Sequence, residues 1–316
     1  AAIGQRNAPT SHRGQRRAHK KKMEADMRIG IIGAGKVGTT LGKYVVSHGG
    51  SVSGFYSRTE KSAREAAQFT GTEYFRSLAT LSEASDTLFI TTTDGEISKV
   101  WDCIAARNVE GKVVCHFSGS LSSDVFSNWE ATGALACSIH PIYAFSDKFT
   151  AYQNLKDAVF SVEGSREALE RMQELFCLLP NQIVEIPTAE KAKYHAATSI
   201  ASNFVVGMIS MAVGLLEEAG IPEQSAYAML KPLVENNVAS IFAKAGPGEG
   251  VCQGCAQALT GPIERGDLGT VRKQGLVAQR SQRHRRHRAL SRSALSGLKS
   301  VGKRGIPRAA RQSRID

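Results

Sequence analysis

The feature that most constrains this fold is a strand-like run followed by a glycine-rich turn and a helix-like pattern, at residues 27–42 (MRIGIIGAGKVGTTLG). In a G-x-G-x-x-G turn, the first glycine allows the tight turn, the second lets backbone approach a diphosphate, and the third lets helix and strand pack closely. Free N–H groups at the helix N-terminus then favour an anion. We therefore predict a dinucleotide site, with an ordinary strand-to-helix turn as the alternative. The predicted contacts are Gly33, Ala34, Gly35, Lys36, Val37 and Gly38.

Charge is distributed unevenly along the 316 residues, a length that fits about two domains. The formal net charge is +11, yet residues 29–271 hold 18 Lys and Arg against 26 Asp and Glu. Basic residues concentrate in 1–26, predicted to be a disordered leader, and in 272–316, predicted to be a basic tail that is partly helical or disordered.

Both basic ends leave alternatives open. Residues 1–22 are compatible with translated sequence upstream of a start at Met23 or Met27, with an organelle-targeting peptide, or with a nucleic-acid-binding arm. The tail is compatible with a reading-frame disturbance or with a segment that contacts nucleic acid or acidic partners. Because the middle of the chain is acidic, we expect nucleic-acid binding only through these ends.

Neither a membrane span nor a metal site is expected from the sequence. No uninterrupted apolar run approaches the roughly 18 residues that a span requires, and no apolar signal core follows the basic N-terminus. Cys252 and Cys255 form a lone CxxC pair, without the second pair or the histidines that zinc sites use. We expect a soluble, cytoplasmic protein without a metal.

Apolar runs and helix-like patterns alternate through the first half of the chain. After the initial run, strands are predicted at residues 51–56, 86–93, 112–117, 134–139, 157–163 and 182–186. From residue 188 the alternation stops, and long helical patterns follow at 188–219 and 223–243. We predict an α/β fold with a doubly wound, mainly parallel sheet at 27–187 and a smaller all-helical domain at 188–271.

The end of the second predicted strand indicates which nicotinamide cofactor is bound. An NAD site usually places Asp or Glu there, about 20 residues past the glycines, to bind the ribose hydroxyls. Here the strand ends in Ser57, Arg58 and Thr59, and Arg58 can pair with a 2′-phosphate. This pattern predicts NADP, with a solvated arginine in a turn as the alternative.

The later strand ends carry further polar side chains. Thr93 and Asp94 are placed to contact the cofactor ribose, and the Ser118 to Ser120 loop is placed near the nicotinamide, with Ser120 also facing substrate. His140 follows a further strand on the same side of the predicted sheet.

Two helical segments add candidates for the chemistry. Lys191, His195, Ser199 and Asn203 recur at i+4, so neighbouring members share a helix face while all four cannot share one site. The alternative is a solvated stripe with one hydrogen-bonded asparagine. In residues 258–267, Thr260 can cap a helix start that leaves N–H groups and Arg265 facing an anion such as a substrate carboxylate, or it can begin an ordinary helix.

Taken in order, these motifs resemble a bacterial family of Rossmann-like oxidoreductases with a helical C-terminal domain of unknown function, itself similar to ketopantoate reductase, pyrroline-5-carboxylate reductase and the 3-hydroxyisobutyrate dehydrogenases. The resemblance covers residues 27–271. In the dehydrogenase relatives, a lysine and an asparagine four residues later handle the proton. This chain departs from that pattern, because His195 stands four residues after Lys191. The motifs are the glycine turn, Ser57-Arg58-Thr59, His116-Phe117-Ser118-Gly119, Ser138-Ile139-His140-Pro141, Tyr194-His195-Ala196-Ala197 with Asn203, and ALTGPIERGD.

The expected function is NADP-dependent hydride transfer to or from a small carbonyl, hydroxy or imine compound. His195 or His140 is expected to be the general acid or base, with Lys191 as a further candidate, because an imidazole titrates near neutral pH. Asn203 would orient the substrate and Arg265 would hold an acidic group. The alternative is an NADP-binding sensor without turnover. We also expect a homodimer formed through the helical domain.

Overall fold

The computed structural model describes residues 27–244, 253–279 and 281. The leader predicted at 1–26, Cys252, and residues 280 and 282–316 of the predicted tail lie outside the described residues. The chain divides into two compact units between Ser202 and Asn203. The first unit contains the sheet, and the second is helical.

The first unit opens with the predicted strand, glycine turn and helix. Strand β1 (Arg28–Ile32) is buried from Ile29 onward, and helix α1 (Lys36–Ser47) buries the face that carries Leu41, Tyr44 and Val45. Gly33 has φ +107°, a conformation that side chains other than glycine rarely adopt. The tight turn therefore needs glycine at this position, as the sequence predicted.

Eight strands form one sheet in the order β3-β2-β1-β4-β5-β6-β7-β8. All neighbouring pairs are parallel except β6 and β7, which pair antiparallel. The predicted doubly wound, mainly parallel α/β sheet is thus confirmed. The remaining strands are β2 (Ser51–Tyr56), β3 (Glu73–Tyr74), β4 (Thr87–Ile90), β5 (Val113–His116), β6 (Leu135–Ile142), β7 (Val159–Gly164) and β8 (Ile183–Glu185).

The strands differ from the sequence prediction at three main places. The two-residue edge strand β3 was not predicted, and β4 ends at Ile90, so the three threonines after it belong to a loop. Strand β6 continues to Ile142, so His140 lies within this strand rather than after it. Three of the intervening helices were also not predicted. They are α2 (Glu60–Thr70), α4 (Asp94–Ala105) and the short α5 (Trp129–Thr132); the others are α3 (Leu78–Glu83) and α6 (Arg166–Phe176).

Both faces of the sheet are covered by apolar side chains. One core contains Tyr44, Phe55 and Phe160, and a separate core on the other face is built around Trp101 and Phe126. Because each face needs its own layer of helices, the sheet is buried between two layers as in other doubly wound folds.

A continuous helical run follows the sheet. It contains a 3₁₀ turn (Thr188–Glu190), α7 (Lys191–Ser199), a π-helical turn (Ile200–Phe204) and α8 (Val205–Glu218). The helical run was predicted, but the π-helical turn was not. The grouping of Asn203 with Ser199 on one face stays a prediction.

This run also qualifies as a membrane-span candidate. The Thr188–Glu218 segment meets the length and average hydropathy of a span, although charged and polar residues interrupt it, and 11% of its most apolar window is buried. No other helix among the described residues meets both criteria. Length and composition alone do not distinguish a span from an apolar helix that packs on protein.

The second unit continues with α9 (Glu223–Lys244), α10 (Gln253–Ala258), α11 (Gly261–Glu264) and a helix at residues 268–279, called α12. In α9, Ala226 is the buried residue, and apolar side chains elsewhere on the helix are largely exposed. The exposed apolar residues of this unit are Phe204, Val206, Met208, Tyr227, Met229, Leu233, Val238, Phe242, Leu259, Ile263, Leu268, Leu276 and Val277.

The glycine turn yields a stability prediction. A Cβ at Gly38 would overlap the Gly33 carbonyl oxygen and Thr91 Oγ1, whereas a Cβ at Gly35 meets nothing within 4 Å. Alanine gains about 1 kcal/mol of helix propensity over glycine, but the overlap with backbone costs more, so Gly38→Ala should lose about 1–3 kcal/mol of unfolding free energy in urea. Gly35→Ala is the matched control and should unfold at nearly the wild-type midpoint. Equal stability of the two variants would contradict the close helix–strand packing.

Candidate functional site

A cavity of about 530 Å³ lies beside the glycine turn. The ends of β1, β2 and β4 border it, so it brings together some of the cofactor residues predicted at separate places in the sequence, whereas Gly38, Asp94 and Ser118 do not line it. Lys36 is exposed and Val37 half-buried in the adjoining first turn of α1. Lining residues include Gly33, Ala34, Gly35, Ser57, Arg58, Thr59, Ser62, Leu78, Thr93, Glu96, Lys99, Val100 and Cys103.

The polar wall of this cavity has two cations around one carboxylate. Lys99 Nζ lies 2.8 Å from Glu96 Oε1, and Lys99 and then Arg58 hold the pKa of the Glu96 carboxyl below its usual range. Arg58 itself is exposed. Lys99 was not predicted as a site residue because it lies on α4, a helix that was not predicted. Its spacing of three residues from Glu96 could have indicated the ion pair.

The loop after β5 is held by its own hydroxyl groups. Ser118 Oγ accepts from the backbone N–H groups of Ser120 and Leu121, both at 3.1 Å, and Ser120 Oγ donates to Asp94 Oδ2 at 2.7 Å. The predicted Asp94 and Ser120 are therefore brought together. Ser118 is buried, and its hydroxyl is used to shape residues 118–123, hereafter the 118–123 loop.

His116, at the end of β5, fixes the same loop from inside the protein. Its Nδ1 accepts from Ser118 N–H at 3.2 Å, so Nε2 carries the ring proton and donates to the Ser122 carbonyl at 3.1 Å. Burial is the main cause that lowers the pKa of His116 to about 4. This imidazole is a neutral structural bridge, a role that no sequence pattern signalled.

Gly119, in the 118–123 loop, lies between two imidazoles. A Cβ at Gly119 would stand 2.5 Å from His195 Nδ1 and 2.8 Å from His140 Nε2. The two rings are nearly perpendicular, with centroids 6.0 Å apart. His195 Nδ1 is buried, and no described residue hydrogen-bonds to it. On the other side of that ring, Ser199 Oγ lies 3.5 Å from Nε2.

His140 is oriented by a tyrosine from α7. The Tyr194 hydroxyl lies 2.7 Å from His140 Nδ1. We assign the phenol as donor, so Nδ1 accepts and Nε2 carries the proton. Burial first, and then the charge of Lys191, lowers the pKa of His140 to about 4, while burial raises the pKa of Tyr194. Tyr194 belongs to one of the sequence motifs, but the motif did not indicate its role.

Lys191 is buried beneath this pair of histidines. It is 2% exposed, and its Nζ donates to Ser138 Oγ at 2.8 Å. Burial lowers its pKa, and Glu163 acts in the opposite direction. Glu163 is itself 1% exposed and accepts three hydrogen bonds, from Ser123 N–H at 2.9 Å, Ser123 Oγ at 2.8 Å and Thr188 Oγ1 at 3.0 Å.

The other predicted residues lie in the second unit. Asn203 and Arg265 are exposed there. Thr260 occupies the N-cap position of α11, as predicted, but its side chain makes no capping hydrogen bond to that four-residue helix. Within the described parts of the chain, no group of three His, Cys, Asp or Glu side chains is arranged to hold a metal.

Two domain models match this chain, one in each half. Residues 14–141 match the model of a Rossmann-like domain, and residues 158–294 match a domain of unknown function, DUF2520. The chain therefore has a Rossmann-like domain followed by a DUF2520 domain. In this protein, the Rossmann-like match contributes Gly119 and His140, whereas the DUF2520 match contributes Tyr194 and His195. No curated protein sequence matches the chain.

Three solved structures illustrate the similarity. A candidate NADP oxidoreductase from Bacteroides fragilis is 25% identical, with a TM-score of 0.64 over 86% of this chain and 98% of that one. An imine reductase from Pseudomonas sp. is 16% identical, with a TM-score of 0.53 over 71% of this chain and 80% of that one. Pyrroline carboxylate reductase from Plasmodium falciparum, with NADP bound, is 12% identical, with a TM-score of 0.54 over 81% of this chain and 95% of that one. The latter two similarities establish the shared fold.

Proposed function

We propose that this protein is an NADP-dependent oxidoreductase that moves a hydride between the nicotinamide and a small carbonyl, hydroxy or imine compound. The observation that carries the proposal is the convergence of His140 Nε2 and His195 Nδ1 at Gly119, at the same sheet edge as the glycine turn. Ligands of open α/β sheets bind outside the carboxyl ends of the strands, where both features lie. The similarity to oxidoreductases, one of them with NADP bound, supports the same reading.

The residues of the first unit fit a dinucleotide. Gly35 leaves open space where a side chain would stand, and the N-terminus of α1 offers free N–H groups to a diphosphate. The cavity bordered by Arg58 would receive the adenosine, and Arg58 would pair with a 2′-phosphate because none of the three residues directly after β2 is a carboxylate. When bound, the nicotinamide gives or takes the hydride.

The two histidines would have different roles in the reaction. His140, neutral and with its proton on Nε2, would donate a hydrogen bond that orients the substrate oxygen or nitrogen. His195, whose Nδ1 has no partner among the described residues, would exchange the proton with the substrate. Ser120, Thr260 and Arg265 stay predictions for binding a carboxylate-bearing substrate, and Asn203 stays a prediction for orienting it.

Cofactor preference tests the adenosine end of the site. Arg58→Ala should weaken NADP binding by about 1–3 kcal/mol, because a charge-assisted hydrogen bond to the 2′-phosphate is lost, and should leave NAD binding nearly unchanged. Isothermal titration calorimetry with both cofactors gives the answer. Arg64→Ala is the matched control: Arg64 lies on α2, pairs with Glu60 and does not line the cavity. Equal losses for NADP and NAD in Arg58→Ala would contradict the assignment.

Turnover tests the proton assignment. With a substrate found by following NADPH oxidation across small ketones, keto acids and cyclic imines, His195→Gln should lower turnover about 100-fold or more while NADPH affinity stays near wild type. Lys191→Gln should lower it less, because Lys191 bonds Ser138 rather than the site. His48→Gln, directly after the last residue of α1, serves as the control.

Two other outcomes would each overturn a specific part of the proposal. If Lys191→Gln abolishes turnover and His195→Gln does not, the lysine handles the proton as in the dehydrogenase relatives. If NADPH binds but no compound of these classes accepts hydride, the protein is an NADP-binding sensor instead.

We also propose that the helices of the second unit bind a second copy of this chain, giving a soluble, cytoplasmic homodimer. Val206 is 68% exposed and Phe242 is 73% exposed, and a soluble monomer rarely exposes apolar patches beyond several hundred Å². A protein surface suits these helices better than lipid, because Lys231, Glu235 and Asn236 interrupt the apolar side chains of α9.

Sedimentation equilibrium tests the dimer. The wild-type protein should remain in the supernatant after membranes are pelleted and should have twice the mass of one chain. Leu233→Glu combined with Phe242→Glu should shift the equilibrium to monomer, because two charges would be buried without partners. Val184→Glu, at an exposed position on the edge strand β8, should remain dimeric. A monomeric wild type, or one found with the membranes, would contradict the proposal.

A further inference from the structure

Two hydroxyl groups of helix α7 lie behind the histidines that face Gly119. The Tyr194 hydroxyl lies 2.7 Å from His140 Nδ1. Ser199 Oγ lies 3.5 Å from His195 Nε2. The other nitrogen of each ring, His140 Nε2 and His195 Nδ1, stands at Gly119. Because a neutral imidazole carries one proton, the hydroxyl behind each ring decides whether the nitrogen at Gly119 is a donor or an acceptor.

We assign the Ser199 hydroxyl as the donor to His195 Nε2. A helical serine often donates to the carbonyl four residues before it, but here the His195 carbonyl accepts from Thr198 Oγ1 at 3.0 Å. Among the described residues, His195 Nε2 is the partner of Ser199 Oγ. A separation of 3.5 Å is at the long end for this bond, and hydrogen bonds of catalytic groups commonly tighten when substrate binds. The proton of a neutral His195 ring then stands on Nδ1.

The arrangement of the two rings agrees with a proton on both facing nitrogens. His140 Nε2 carries its proton because Nδ1 accepts from Tyr194. If His195 Nδ1 were an acceptor, this N–H could bond to it directly. Instead, His195 Nδ1 is buried without a partner among the described residues, and the ring centroids stand 6.0 Å apart. Two donors cannot bond to each other, so an acceptor placed between them would satisfy both.

One acceptor atom can reach both nitrogens. His195 Nδ1 and His140 Nε2 lie 2.5 Å and 2.8 Å from the point where a Cβ of residue 119 would stand. The two nitrogens are therefore no farther apart than two N–H···O bonds of about 2.9 Å placed end to end. Glycine at this position leaves the space between them open. A carbonyl oxygen has two lone pairs and accepts from both donors, whereas an imine nitrogen has one lone pair and an iminium nitrogen has none.

We propose that His140 and His195 form a pair of hydrogen-bond donors for one carbonyl oxygen, and that Ser199 is the positioning residue that keeps the His195 proton on Nδ1. The inference rests on the proposed function and narrows its substrates to ketones and aldehydes, or to alcohols in the reverse direction. Two donors aimed at this oxygen also stabilise the negative charge that develops there as the carbonyl carbon accepts hydride.

The proton balance follows from the same tautomers. The carbonyl carbon accepts hydride from the reduced cofactor, which is thereby oxidised, and its π bond to oxygen breaks. The oxygen takes the proton from His195 Nδ1, while Nε2 of that ring takes the Ser199 hydroxyl proton, which a proton from water replaces. The imidazole is neutral before and after the step. Exchange with water returns its proton to Nδ1 once the alcohol leaves.

NMR of the full-length protein tests the tautomers without turnover. At about pH 8, where an ordinary histidine is neutral, proton–nitrogen correlation spectra of isotope-labelled histidine show which ring nitrogen carries the proton, and His195→Gln identifies the signal. We expect the His195 proton on Nδ1. In Ser199→Ala it should move to Nε2, because Nδ1 is then free to accept from His140. Ser202→Ala is the matched control: Ser202 bonds the Thr198 carbonyl, so the tautomer should not change.

Two results would overturn the tautomer assignment. One is a wild-type His195 with its proton on Nε2, and the other is a tautomer that Ser199→Ala leaves unchanged. Ser199→Thr keeps the hydroxyl and should keep the wild-type tautomer. The wild-type spectrum decides the first point even if Ser199→Ala does not fold.

Paired compounds test the substrate class. Ketones and imines of equal ring size, such as cyclopentanone and 1-pyrroline, differ in C=O against C=N. Their NADPH oxidation should give a kcat/KM about tenfold or more higher for the ketone, because the imine loses one of the two hydrogen bonds. A faster reaction with the imine would overturn the inference and uphold hydride transfer. No reaction with either class would refute the proposed function, while the NMR result still decides the two-donor arrangement.

Discussion

Parallel pairing in register of β4, β5 and β6 is the constraint on which the rest of the site depends. Ile90 pairs with His116, and His116 pairs with Ser138, so β4 and β5 end level with Ser138, and β6 continues beyond them to Ile142. The loops that follow them must then lie side by side at the carboxyl edge of the sheet. Asp94 can reach Ser120, and Gly119 can stand against His140, because the strands beneath them are aligned.

The antiparallel pairing of β7 with β6 determines where the side chain of Glu163 lies. Since β7 runs antiparallel to β6, Glu163 is brought beside Ser138 and beneath the 118–123 loop. Its carboxylate bonds both that loop and Thr188, at the entry to α7. One buried acid therefore connects the element that carries Gly119 with the helix that carries His195. A fully hydrogen-bonded network of this kind favours a single arrangement of the site.

Sequence alone predicted the sheet well because buried strands leave a strong local signal. Apolar runs bounded by polar residues marked every strand except the two-residue β3, and β2 was predicted with its observed bounds. The glycine turn was predictable from the spacing of its three glycines. Helices α2, α4 and α5 were not predicted, and the π-helical turn that contains Asn203 has no sequence pattern of its own.

Residues of the candidate site could be named from the sequence only where position along one element was sufficient. His140 and His195 were accessible to that reasoning, although His140 lies within β6 rather than after a strand. Tyr194, His116 and Glu163 were not, because their roles come from register between strands and from a loop conformation that brings distant residues together. The same limit explains Lys191: the helix stripe indicated it, but only the structure showed that its side chain turns inward to Ser138.

A crystal structure with NADPH bound would show whether the glycine turn and the two histidines serve one reaction. We expect the diphosphate on the N-terminus of α1, the adenosine 2′-phosphate at Arg58, and the nicotinamide against the 118–123 loop. The C4 face of that ring should open toward His140 Nε2 and His195 Nδ1, with room for a small substrate between them. A nicotinamide directed away from Gly119, or a cofactor bound elsewhere on the sheet, would contradict it.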